Sequence, residues 1–245
     1  MLKAVKKKGF DKLFYHYNRL YLIRRYFHYV GLSGQLRPQA AEDRPILYVM
    51  NHSSWWDGLL AYHAARTTTS EEHFFMMDEE QLRKYTFFRK LGAYSINRYS
   101  TGDISASLRY TAKLMYERGN VWIYPEGEIQ TLEHRPLNLQ SGVGLILRLC
   151  PEAVVVPVTL YHGLFRHSRP EATLLAGDAI SHPWRDMDRN SIVKELQAVL
   201  GEQLDHHRSL LVNNGGYIPG IFTPLMKQGR SVNERFDAVR PWGRG

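Results

Sequence analysis

One cysteine, Cys150, stands among 245 residues, which excludes an internal disulfide and a cysteine-rich metal site. That scarcity suits a reducing compartment. Long hydrophobic runs are missing too: no apolar stretch approaches the ~18 residues of a membrane-spanning helix. The N-terminus is basic but lacks the uninterrupted apolar stretch of a signal peptide. A cytoplasmic, non-integral protein is therefore expected. Internal repeats and low-complexity segments are absent. The 11 histidines, including the adjacent His206 and His207, show no ligand spacing, so no metal is implied.

What is present is an ordinary globular composition, 44% hydrophobic and 23% charged, at a length that fits one domain with a full core. The net charge of +8 is unevenly placed. Lys3, Lys6, Lys7, Lys8, Lys12, Arg19, Arg24 and Arg25 precede residue 31 against Asp11 alone, a net of +7, and the rest is nearly neutral. Within that stretch Phe10, Leu13, Phe14, Tyr17, Leu20 and Tyr21 fall at helical spacing, and Ile23, Phe27 and Val30 continue the apolar side. Residues 1–30 read as a basic amphipathic helix. Two readings stay open: a helix lying in the interface of an anionic membrane, or one that packs its stripe on the core. A nucleic-acid arm is disfavoured, because no recognition motif follows and the body is nearly neutral, so no nucleic-acid partner is expected.

Residues 31–45 are polar and broken by Gly and Pro, as a linker would be. Strands are expected at Ile46–Met50, His73–Met77, Ala93–Asn97, Val121–Tyr124, Ala153–Leu160 and Ala172–Leu175. Helices are expected at Trp55–Ala65, Glu79–Leu91, Asp103–Arg118 (with Asp103 as N-cap), Gln140–Leu149 and Asn190–Val212. Their alternation predicts an α/β fold: a single domain over residues 46–212, with a mostly parallel central sheet covered by helices. Residues 213–245 form a Gly- and Pro-rich tail, expected to be poorly ordered.

The chain is organised around residues 49–58, Val-Met-Asn-His-Ser-Ser-Trp-Trp-Asp-Gly. In a continuous helix His52 and Asp57 would stand about 140° apart around the axis. A strand-to-helix break between them lets them meet, at the strand end where open α/β sheets place ligands. A carboxylate there holds an imidazole in one tautomer and frees its other nitrogen as a base. The alternative is structural: Ser54-x-x-Asp57 also fits a capping box that only satisfies the helix start.

Three further stretches bear on this choice. Gly92 to Arg98 reads G-x-x-x-I-x-R, Tyr124-Pro125-Glu126-Gly127 ends the next strand, and Val156-Pro157-Val158 follows the Gly142-x-Gly144 helix. With Asn51-His52-x-x-x-x-Asp57, in this order and spacing, they resemble the glycerolipid acyltransferase family over about residues 44 to 160. The resemblance implies transfer of an acyl group from an acyl thioester, acyl-CoA or acyl carrier protein, to a lysolipid acceptor, with no other cofactor. It implies a base at His52 oriented by Asp57, and acceptor binding by Arg98 and the Glu126-Gly127 loop, extending to Glu128. N–H groups at the helix start after Ser54 are expected to help stabilise the oxyanion. Cys150, on an apolar helix, is read as core. The expected setting is the inner face of the cell membrane, held peripherally by the anionic surface. The chain departs from the family where Thr-Arg-Ser commonly follows the Gly: Glu128-Ile129-Gln130 stand there. A second cation is missing and a carboxylate is added, which disfavours a phosphate dianion. A glycolipid or aminolipid acceptor therefore stands beside lysophosphatidate, as does a non-catalytic lipid-binding role on the same fold. Trp55-Trp56 is bulky where smaller residues are frequent.

Overall fold

The computed structural model describes residues 1–117, 119–217, 219–227 and 236. Eight strands share one sheet: β1 (Tyr29–Ser33), β2 (Ile46–Met50), β3 (His73–Asp78), β4 (Ala93–Ile96), β5 (Asn120–Ile123), β6 (Val154–Gly163), β7 (Glu171–Ala176) and β8 (Thr223–Pro224). Their spatial order is β4-β3-β5-β2-β6-β7-β1-β8. From β4 to β6 the strands run parallel. β7 turns back against β6, β1 lies parallel to β7, and β8 returns against β1. The sequence expectation of a mostly parallel, helix-covered α/β domain is met.

Side chains alternate across a strand, and here both faces are covered. Along β2, Ile46, Tyr48 and Met50 pack into one layer with Leu59 and Leu60, whereas Leu47 and Val49 pack into the other with Leu108 and Ile146. The first layer is built by α1 (Lys8–Tyr17), α2 (Ile23–Tyr26) and α3 (Asp57–Thr68), and α4 (Glu79–Lys84) follows β3. The second is built by α5 (Thr101–Tyr116), α6 (Gly142–Leu149) and α7 (Arg189–Asn214). No side chain of β2 is more than 1% exposed. Each contributes up to about 1.5–3 kcal/mol by burial, which fixes the strand end where the site is built.

The structure corrects several boundaries. Helix α1 continues into α2 through a wider π turn at Asn18–Leu22 and stops at Tyr26. Residues 31–33, read as linker, belong to β1, because β7 supplies a distant partner that no local pattern shows. The helix expected over 79–91 breaks at Tyr85 and resumes as a 3-10 turn, Thr86–Leu91. Ser100, not Asp103, caps α5: its Oγ accepts the Asp103 N–H at 3.2 Å. The expected end of that helix, Arg118, lies outside the described residues. Part of the expected tail is core: Phe222, Leu225 and Met226 are buried, and the Leu225 N–H donates to Val30 O. The tail from 228 on, apart from residue 236, lies outside the described residues. Among the described residues no helix is long and apolar enough to cross a membrane.

Burial holds the imidazoles of His63, His73, His162 and His207 below their ordinary pKa, His73 and His207 at about 3. His207 bridges Thr159 and Thr173, and His73 bridges Trp122 and Thr69. The unfolded chain holds these groups at ordinary values, so it binds more protons below about pH 6.5. The stability they carry is present above that pH and is lost as pH falls. Urea midpoints are expected to decrease steadily from about pH 7 to about pH 4. A flat midpoint over that range would refute neutral buried imidazoles.

Candidate active site

Because β2, β4, β5 and β6 run parallel, their C-terminal ends share one edge of the sheet. Asn51 fixes the exit of β2: its Oδ1 accepts the Leu160 N–H at 2.7 Å and its Nδ2 donates to Leu160 O at 3.1 Å. The chain then turns through residues 52–56 into α3, which begins at Asp57. His52 Nδ1 lies 2.9 Å from Asp57 Oδ2. The same carboxylate accepts the Ser53 N–H at 2.6 Å, the Ser54 N–H at 2.9 Å and the Ser54 hydroxyl at 2.6 Å. Every other neighbour of this carboxylate is a donor, so Nδ1 donates too, and Nε2 is left as the acceptor. Asp57 is fully buried whereas the His52 side chain is 24% exposed. The capping box expected at Ser54-x-x-Asp57 is not formed as such: α3 begins at Asp57 with Trp56 as its N-cap, and the carboxylate holds the turn before the helix.

The Pro125-Glu126-Gly127 stretch grips this turn by its backbone. Glu126 Oε1 accepts the His52 N–H at 2.7 Å, and the Gln130 N–H donates to His52 O at 2.8 Å. Glu126 is buried, and burial pushes its pKa up, partly offset by the His52 N–H and imidazole. Its carboxylate holds the turn through the His52 N–H. Gly127 has φ of +80°, a conformation that a side chain resists. Its carbonyl accepts a hydrogen bond from Arg98 Nη1, and Arg98 Nε lies 3.8 Å from Asp78 Oδ2. Arg98 thus comes from the end of β4 to the Gly127 loop. Glu128 and Ile129 point outward, with Glu128 accepting from Gln130 Nε2 at 2.9 Å.

Several contacts were not foreseen. The Tyr124 ring sits 4.7 Å from the His52 ring, and its buried hydroxyl has no hydrogen-bond partner. Burial, helped by Asp57, pushes that hydroxyl's pKa well up. His162 Nε2 is 3.3 Å from Ser53 Oγ. The strand reading over 153–160 stopped short of His162, two residues before it. Asn51 and Gln130 act through backbone bonds across the sheet, which spacing along the chain does not reveal. Of the N–H groups after Ser54, that of Trp56 donates to Ser54 Oγ and that of Asp57 to Ser54 O, while those of Ser53 and Ser54 serve Asp57. Cys150 is buried at the end of α6 and its thiol is pushed up to about 12 by burial. His28, His167 and Glu171 bring ligand-type atoms within 4.8 Å of one another. The two imidazoles there stack face to face at 3.6 Å, and His167 Nδ1 lies 2.8 Å from Glu171 Oε1.

Fold and site together define an α/β protein equipped for general-base chemistry, with a carboxylate-held imidazole at the C-terminal edge of its parallel strands. The family model described as Acyltransferase matches residues 33–161. The chain belongs to this family, the glycerolipid acyltransferases, and membership supports acyl transfer to lipids as its general activity. A search of curated proteins found no match.

Proposed function

We propose that the chain moves a fatty acyl group from an acyl thioester, acyl-CoA or acyl carrier protein, to a hydroxyl of a lysolipid at the inner face of the cell membrane. The observation that carries this reading is the partly exposed His52, its Nδ1 held by buried Asp57. Nε2 takes the proton of the acceptor hydroxyl as its oxygen attacks the thioester carbonyl. The tetrahedral adduct collapses, the C–S bond breaks, and the imidazolium returns the proton to the leaving thiolate. Asp57 fixes the tautomer and stabilises the imidazolium. Buried Cys150 is not placed to form an acyl-enzyme.

The acceptor is read from the charges around Gly127. Arg98 supplies one cation, already engaged by Gly127 O, and exposed Glu128 adds a carboxylate. Losing a charge-assisted phosphate contact costs about 1.5–3 kcal/mol, roughly ten- to a hundred-fold in binding. A neutral or amine-bearing lysolipid is therefore expected to be acylated faster than lysophosphatidate. Glu128→Thr combined with Ile129→Arg is expected to move the preference toward the phosphate monoester. The check is thiol release from an acyl thioester with a panel of lysolipids. A wild-type preference for lysophosphatidate over every uncharged acceptor would overturn the acceptor reading, and no thiol release with any acceptor would overturn acyl transfer.

A further inference from the structure

The N-terminal helix has two faces, and the core accounts for one. Phe14, Ile23 and Phe27 are buried. Beside them Leu13, Tyr17, Leu20, Tyr21 and Tyr26 are about half exposed or more, with Leu13 at 67% and Leu20 at 59%. Lys12, Arg19, Arg24 and Arg25 are exposed among them. The single acid of this helix, Asp11, is turned inward, 2.9 Å from Arg66 and 3.0 Å from the Tyr62 hydroxyl. The outward face therefore carries apolar and aromatic groups with positive charge alone.

These side chains form a band that ends in the catalytic turn. Tyr17 stacks on Tyr21 at 5.4 Å, and the Arg25 guanidinium lies over the rings of Tyr21 and Tyr26 at 5.7 and 5.9 Å. Tyr26 meets Trp56 at 5.0 Å, and Trp56 meets Trp55 edge-on at 5.4 Å. Trp55 is 53% exposed and stands between His52 and Asp57 in the sequence.

We infer that this band, from Leu13 through Tyr17, Leu20, Tyr21 and Tyr26 to Trp55, is the face that seats the protein on an anionic lipid bilayer. The chemistry selects that occupant. Tyr and Trp place an apolar ring and a polar edge at headgroup depth, Leu13 and Leu20 enter the acyl boundary, and the arginines meet anionic headgroups. Because Trp55 belongs to the catalytic turn, docking brings His52 to the level of the lipid hydroxyls. That last step rests on the proposed lysolipid acylation; the docking face itself does not.

The test is sedimentation of the full chain with vesicles of equal parts phosphatidylcholine and phosphatidylglycerol, and with phosphatidylcholine alone. Binding is expected on the anionic vesicles and is expected to weaken with salt. Arg24→Gln with Arg25→Gln is expected to weaken it about twenty-five-fold, five-fold per residue, which corresponds to about 1 kcal/mol for each basic group at the surface. Leu20→Ser with Tyr21→Ser, and separately Trp55→Ser, are expected to weaken it at least about ten-fold, since each loses apolar burial. All these side chains are exposed, so melting temperatures are expected to stay near wild type. His52→Ala is expected to bind vesicles like wild type, which separates failed docking from failed chemistry. Wild-type protein that stays in the supernatant overturns the inference, as do variants that sediment like wild type. Concentration-dependent self-association lost in Leu20→Ser would assign the face to a second copy and overturn it as well.

Discussion

His52→Ala is expected to abolish measurable acyl transfer while the protein stays folded. Positioned general bases contribute about 10²–10⁴-fold to rate, and here no other imidazole replaces the lost one in place. His162 is the nearest candidate, but it contacts Ser53 and not Asp57, and burial holds its pKa down. The fold is expected to survive because the turn is also held through the His52 N–H and C=O, by Glu126 and Gln130. The alanine retains both peptide groups and loses the ring contact with Tyr124 and the Nδ1 bond to Asp57, which keeps its three other donors. Thioester turnover and a thermal melt, run on the same sample, check both halves. Wild-type-like turnover would show that the base assignment is wrong.

Asp57→Asn is expected to lower kcat by about 10⁴, the cost seen when a triad carboxylate becomes an amide. An Asn amide facing Nδ1 donates to it, which puts the imidazole proton on Nε2 and removes the acceptor that the lipid hydroxyl needs. The damage extends further here than a tautomer. The Asp57 oxygen facing Nδ1 also accepts the Ser53 and Ser54 N–H groups, and an NH₂ group in its place can accept from neither, whereas the remaining carbonyl oxygen keeps the Ser54 hydroxyl. A buried donor left unsatisfied costs about 1–3 kcal/mol, so the melting temperature is expected to fall together with the rate. A rate within a few-fold of wild type would sink the tautomer argument.

The catalytic turn was legible because its signals are local. An apolar run, a cluster of turn-forming residues and a helical stretch predict the strand–turn–helix, and the motif order ties it to β4, β5 and β6. The contacts that assemble those motifs were not legible. Glu126 reads as an acceptor ligand along the chain, and only the folded geometry shows its carboxylate on the His52 N–H. Asn51 reads as one more turn residue until Leu160 lies beside it across β6. β1 was lost for a similar reason: Tyr29–Ser33 contains a glycine and leads into a polar stretch, and its strand character comes from β7 and β8. The N-terminal stripe was seen as one apolar face. A helix wheel does not show that the core takes one side of the aromatics and leaves Tyr17, Leu20 and Tyr21 outside.

The placement of β1 sets an order on folding. Its register partners are Glu171 to Leu175 on one side and Thr223 and Pro224 on the other. A ribosome makes β1 long before either partner, so this strand waits unpaired while the intervening chain is made. Closing a loop of that span costs entropy before any contact rewards it, which slows this step relative to the pairing of β2, β5 and β3. Strand β1 is thus made early and paired late. In the interval Tyr29, Val30 and Leu32, buried in the finished fold, are open to holdase chaperones.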